Sequence, residues 1–243
     1  MNSFSARLFI RRHQHVLIQY IGLALVLLVF AYMTDGNLFS DFNIRTILKQ
    51  LVVLFTISVG LVFVFSHGGM DISVGAVLAL SSMTAVYTMN AGAPLAVGVL
   101  AAVAVSVVCY LLNVLIANQF RIMAVISSLA VMFVARGIVT YRVSTSTDKI
   151  ALNDSGALRD LGRSMPFIVT TIVLVGAIGY VLFHLTKVGK FNRAIGDNPL
   201  ASSQSGVRVK SMKAIAYALA GIMVGCASIL SLSRSAVITE NTG

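Results

Sequence analysis

The chain has 243 residues, of which 58% are hydrophobic and 11% charged, with a formal net charge of +10. Soluble domains carry about 25% charged residues, so a water-soluble globule is excluded. In lipid a spanning helix needs roughly 20 apolar residues, which this composition supplies several times over. No G-x-x-x-x-G-K-[ST] segment occurs, so ATP is not bound through a P-loop. The positive charge lies in short segments between apolar runs, a pattern that sets membrane orientation rather than nucleic-acid binding.

Seven apolar runs predict spanning helices: 16–33, 51–66, 72–89, 93–117, 122–141, 165–186 and 214–232. The reading is an all-α polytopic membrane protein, with residues 1–243 forming one transmembrane domain. The first run is preceded by basic residues, runs long and has no small-x-small site after it. It therefore reads as a retained helix and not as a cleaved signal. With the N-terminus in the cytoplasm, ten Lys and Arg residues lie inside: Arg7, Arg11, Arg12, Arg121, Lys187, Lys190, Arg193, Arg208, Lys210 and Lys213. Seven lie outside: Arg45, Lys49, Arg142, Lys149, Arg159, Arg163 and Arg234. The balance favours an inside N-terminus and an outside C-terminal end.

Between the second and third runs stands His67-Gly68-Gly69-Met70-Asp71-Ile72-Ser73-Val74-Gly75. Two glycines break the helix, and Asp71 is placed to cap a helix beginning at Ile72. One reading is a capped turn at the membrane surface. The other is a helix broken at membrane depth, tolerated only where protein or a water-filled cavity covers it. Asn113, in the fourth run, suits interhelical hydrogen bonding more than substrate contact. Arg136, in the fifth, either snorkels to the surface or pairs inside the bundle with a carboxylate or backbone carbonyls.

The segment 187–213 is a cytoplasmic loop. Within it Asn198 suits an N-cap, Pro199 the first helical position and Gly206 the residue past the end. The helix between them is about two turns long, too short to stand alone. It either rests on its own membrane domain or docks on another surface. On the seventh run Gly221 and Gly225 form G-x-x-x-G. That face packs against one of the other six helices or waits for helices outside this chain. Cys109 and Cys226 fall inside apolar runs, no His/Cys/Asp/Glu cluster has metal spacing, and no nucleophile–base pair can be argued. An enzyme reading has no residues to rest on, and neither a cofactor nor a metal is expected.

Four motifs in order carry a family resemblance. Gly68-Gly69-Met70-Asp71-Ile72-Ser73-Val74-Gly75 through Leu80 resembles the G-G-[IM]-D-[IL]-S-V-G-x-x-x-A-L segment of bacterial ABC permeases for ribose, xylose, arabinose and galactose. Phe39 to Gln50 resembles their F-x-x-x-N-x-x-x-I-L-x-Q, and Ala135-Arg136-Gly137 their A-R-G. Ala194-Ile195-Gly196-Asp197-Asn198 through Ser205-Gly206-Val207 is similar to the loop that forms their coupling helix. The departures are Ser202-Ser203 and Gln204-Ser205, where the family is rich in Ala and Arg, and His67, where it has a small or polar residue. The family's later Gly-rich G-G-x-x-L-x-G-G segment is absent, so the chain is expected to be a C-terminally incomplete permease, by truncation or as a fragment.

The resemblance implies a non-catalytic permease subunit of a sugar importer in the bacterial inner membrane. Its expected partners are an ABC ATPase subunit, a periplasmic or lipid-anchored sugar-binding protein, a second permease subunit and membrane lipid. Gly196, Asp197, Asn198, Pro199, Ala201, Ser205 and Gly206 are the expected ATPase contact. Gly68, Gly69, Asp71, Ser73, Gly75, Asn113 and Arg136 are assigned to the translocation path or the structural break. Related permeases for nucleosides or branched-chain amino acids, and a non-transporting membrane fragment, are the alternatives.

Overall fold

A computed structural model describes residues 3–146, 150–153, 156–239 and 242, with side chains from residue 18 onward. Lys149, and the side chains of Arg7, Arg11 and Arg12, lie outside the described residues. Ten α-helices occur among the described residues: α1 (Ser3–Met33), α2 (Asp41–Phe65), α3 (Val74–Asn90), α4 (Leu95–Phe120), α5 (Ala124–Thr145), α6 (Gly156–Arg163), α7 (Met165–Tyr180), α8 (Lys187–Asp197), α9 (Pro199–Gln204) and α10 (Val209–Ser235). A π-helical turn, Val181–Leu185, extends α7. Two short strands, β1 (Ile150–Ala151) and β2 (Val237–Ile238), pair antiparallel.

Among the described residues five helices are long and apolar enough to cross a membrane: α2, α4, α5, α7 with its π turn, and α10. Ile18–Met33 of α1 and the whole of α3 are apolar but shorter. All seven coincide with the runs expected from sequence, and the chain is a polytopic α-helical membrane protein. It divides into two compact units, residues 1–48 and 49–243. The first holds α1, a 3-10 turn at Asn37–Phe39 and the start of α2.

The second unit is built around α10. Its most apolar stretch is 61% buried, against 11–33% for the other four long spans. Small residues allow this. A Cβ on Gly221 or Gly225 would lie 2.8 or 2.6 Å from the Cα of Val107 or Val103, so the backbones of α10 and α4 touch. That contact answers the question left by G-x-x-x-G: the partner of this face is α4 of the same chain. Gly60 of α2 meets Ala220 and Met223 of α10 in the same way. Outward positions are large and apolar, as at Leu100, Leu115, Phe133 and Val173, each more than 60% exposed. Lipid is the solvent that makes such a surface stable.

The unit has two ends. At one, Asn90 closes α3 by donating to Ala151 O (2.8 Å) and accepting from Asn153 N (3.0 Å). There Ile150, Leu152, Leu158 and Ile238 join a buried cluster with Met83, Val86, Val139 and Leu232. The sequence reading assigned no element to 142–164, because two-residue strands and an eight-residue helix carry too little periodicity to register. At the other end lie the α2–α3 connection, the α4–α5 turn, and α8 with α9. The segment 187–213, read as a loop with one short helix, holds two helices before α10 begins. Gly189, Asn192 and Ile195 give α8 one buried face at spacings of three.

Candidate functional site

The α2–α3 connection is built by its glycines. Gly68 N donates to Phe65 O (3.0 Å) and Gly69 N to Val64 O (3.1 Å), the paired bonds of a helix closed by a left-handed residue. Gly68 has φ +78, and a Cβ on Gly69 would lie 2.9 Å from Val64 O. The chain then stays non-helical through Ser73, and α3 begins at Val74. This corrects the expected helix start at Ile72. The cap position is Ser73, and Asp71 lies two residues ahead of it. The carboxylate still serves that terminus, since Asp71 Oδ1 accepts from Ser73 N and from Ser73 Oγ, both at 2.7 Å. A negative charge there is favoured by the helix dipole. Gly75 follows in the first turn of α3, half-buried. The segment is tied across the bundle by Ile72 N, which donates to Ser128 Oγ of α5 (3.2 Å).

Asp71 is 6% exposed, lies beside the Tyr110 hydroxyl and is within electrostatic reach of that of Tyr217. Tyr110 lies ten residues before the end of α4, about 15 Å along its axis, and Tyr217 eight residues into α10, about 12 Å. The connection thus starts at that end of the unit, and Asp71 within it reaches inward beside α4 and α10. Its carboxylate is incompletely satisfied. Asp71 Oδ2, Tyr110 Oη and Tyr217 Oη are all buried and close no hydrogen bond. Both ring nitrogens of His67 and the Nδ2 of Asn113 are in the same condition. Each such group costs about 1–3 kcal/mol. Asn113 accepts from Ser127 Oγ of α5, the expected interhelical bond. On α4 the buried, incompletely paired side chains Ser106, Tyr110 and Asn113 fall at spacings of four and three, a row about 10 Å long.

A cavity of about 470 Å³ opens at this end, lined among others by His67, Asn118, Met123, Lys213 and Tyr217. Asp71 and Tyr110 do not line it. The rings of His67 and Tyr217 stand 5.8 Å apart, and those of Tyr217 and Tyr110 6.2 Å. The three form a chain of aromatic contacts leading from the cavity wall toward Asp71.

Beside the cavity, α8 is fastened to the end of α2. Asn192 is fully buried and donates Nδ2 to Phe63 O (3.2 Å), a carbonyl of the last turn of α2. Gly196 is packed so closely that a Cβ would lie 2.1 Å from Ser66 O. Asp197 ends α8, exposed. Asn198 Oδ1 then accepts from Leu200 N (3.1 Å) and Ala201 N (3.0 Å), and Pro199 takes the first position of α9. Ser205 caps the other end and Gly206 has φ +84, so both ends form where the sequence placed them. α9 buries Ser202 and exposes Leu200, Ala201, Ser203 and Ser205. Leu200 is 69% exposed, an apolar side chain beside small and uncharged residues.

Arg136 is not part of this assembly. It lies eight residues beyond Ser128 on α5, about 12 Å further along, and donates Nη1 to Thr242 O (2.9 Å). It is half-buried and pairs with a backbone carbonyl near the C-terminal end of the described residues. The structure thus brings together Gly68, Gly69, Asp71, Ser73 and Asn113, and separates Arg136 from them.

The family model that matches residues 43–243 is described as "Branched-chain amino acid transport system / permease component". The chain belongs to this permease family. Among its curated relatives is the ribose import permease protein RbsC of Escherichia coli (strain K12), 29% identical over 90% of this chain and 70% of the relative. RbsC of Bacillus subtilis (strain 168) is 30% identical over 88% of this chain and 67% of the relative. The autoinducer 2 import system permease protein LsrC of Yersinia pestis (strain Pestoides F) is 27% identical over 91% of this chain and 64% of the relative. No solved structure gives a significant match.

Sequence reasoning missed four residues of the permease's site: Tyr110, Tyr217, Asn192 and Leu200. Tyr110 was legible as part of the row Ser106, Tyr110, Asn113 on one face of an apolar helix. Tyr217 had no such signal, because only the crossing of α10 with α4 brings it to Tyr110. Asn192 is one polar residue in a polar segment, and its burial follows from docking α8 on α2.

Proposed function

We propose that this permease forms the membrane path of an importer for a neutral sugar, a monosaccharide, with its N-terminus in the cytoplasm. It carries no catalytic site. A binding protein delivers the sugar at the β1–β2 end, and ATPase subunits act at the α8–α9 end. A second permease subunit completes the path. Residues 1–243 act as one transmembrane domain, and α9 within 187–213 is the coupling helix. The ribose and autoinducer-2 relatives support a sugar rather than the amino acids named in the family's description.

One observation carries the mechanism: α8 is bonded to the last turn of α2, immediately before the broken segment that holds Asp71. Displacing α9 pulls on α8, and α8 cannot move without moving Phe63 and Ser66. That motion reaches His67 and Asp71 directly, so ATPase movement is converted into opening of the polar interior. Coupling of this kind needs an element held between two moving bodies.

The test is Ala201→Trp on the exposed face of α9, with Gly206→Pro breaking its left-handed end. In vesicles containing the assembled transporter, either variant should block assembly with the ATPase or uncouple hydrolysis from sugar uptake, with membrane insertion intact. If both assemble and transport like the parent, α9 is not the coupling element.

A further inference from the structure

We infer that Asp71, Tyr110 and Tyr217 form a hydroxyl-reading constriction, selective for neutral polyhydroxylated solutes. This rests on the permease reading and names the chemistry of its path.

The inference starts from the unpaired atoms. Buried polar groups are almost always hydrogen-bonded, so several orphans in one neighbourhood need a partner that is present only part of the time. Here the orphans come from three elements: Asp71 Oδ2 from the broken segment, Tyr110 Oη from α4 and Tyr217 Oη from α10. Asp71 lies beside the Tyr110 phenol and within electrostatic reach of that of Tyr217, and no hydrogen bond of ordinary length and angle closes among the three. Among the described residues Asp71 has no ion-pair partner, and the ion pair observed is Arg45–Asp41. A buried carboxylate without a cation repels an incoming carboxylate or phosphate. It accepts hydrogen bonds from hydroxyls, while a phenol both donates to and accepts from them. The three together suit a solute carrying several adjacent hydroxyls and no charge.

The constriction is closed in this structure. Its free atoms are sealed from solvent, and Tyr217 and His67 form part of the wall of the adjacent 470 Å³ cavity. A solute moving between the bundle interior and that cavity passes Tyr217. Parting α4 from α10 there would bare Asp71 Oδ2 and both phenols at once. Ser106, one turn from Tyr110 on α4, offers a further unpaired hydroxyl on the far side.

The experiment uses the assembled transporter, with its ATPase and binding protein, in proteoliposomes. Uptake of ribose and of 2-deoxyribose is measured for the parent, Tyr110→Phe, Tyr217→Phe and Asp71→Asn. Both Tyr→Phe variants keep the ring and remove one hydroxyl each, and ATP hydrolysis is followed as a check on assembly. Ribose uptake should fall roughly tenfold to a hundredfold in each variant, the loss expected for hydrogen bonds to a charged or desolvated group. Preference for ribose over its deoxy analogue should shrink, while hydrolysis persists. Ribose uptake and preference at parental values in both Tyr→Phe variants would overturn the constriction and leave the importer reading standing. A parent that takes up leucine but neither ribose, xylose nor galactose would overturn the sugar reading and this inference with it. Should a Tyr→Phe variant fail to assemble, Asp71→Asn, which keeps shape and the Ser73 contacts, decides by the same two measurements.

Discussion

Gly196 distinguishes packing from partner contact, because the resemblance assigns it to the ATPase interface while its neighbours are backbone atoms of its own chain. A Cβ at this position would stand 2.1 Å from Ser66 O, far inside van der Waals contact with an atom that cannot rotate away. Gly196→Ala must therefore move α8 off the end of α2. The shift strains the Asn192–Phe63 bond, whose donor is fully buried. Overpacking costs about 1–3 kcal/mol, and leaving the buried Asn192 amide without its acceptor adds about 1–3 kcal/mol, while Phe63 O keeps its bond from Ser66 Oγ. Asn192→Ala removes the bond without adding volume and should cost about 0.5–1.5 kcal/mol alone, since Phe63 O keeps Ser66 Oγ as a donor. Thermal unfolding of the purified permease in detergent reads both, and each variant should melt several degrees below the parent. The two effects should be less than additive, since both release the same contact. An unchanged melting point for Gly196→Ala, together with lost ATPase binding, would refute the packing argument and return Gly196 to the interface.

Two further outcomes test the frame around the site. Gly225→Leu should separate α10 from α4, because even a Cβ would lie 2.6 Å from Val103 Cα; destabilisation of about 3 kcal/mol or more is expected, read as loss of monodisperse protein on gel filtration. Cysteine introduced at Ser203 should react with a membrane-impermeant thiol reagent only from the cytoplasmic side, and one at Ser155 only from outside, with the reverse result overturning the orientation; Ser155 lies outside the described residues.

The amino-acid sequence by itself determined the solvent, the class and the number of apolar runs, because an apolar stretch of 16 to 25 residues has one stable form in lipid. It also determined the ends of α9, since a cap at Asn198, a proline at 199 and a left-handed glycine at 206 act on their own neighbours. The paired glycines at 68 and 69 were readable for the same reason. The start of α3 was misplaced by two residues, because Asp71 serves the terminus through the cap residue Ser73, in a segment pinned to Ser128 of α5. Only the tertiary structure decided which residues meet. Tyr217 reaches the neighbourhood of Asp71 because Gly221 and Gly225 let α10 lie against α4. Arg136 leaves that neighbourhood because eight residues along α5 carry it toward Thr242. Asn192 and Gly196, in a segment too polar to register as structure, become the fastening of α8 because α8 packs against Phe63 O and Ser66 O at the end of α2. Local chemistry fixes caps and breaks within a few residues, whereas a site shared among the broken segment, α4 and α10 depends on crossings between helices more than a hundred residues apart.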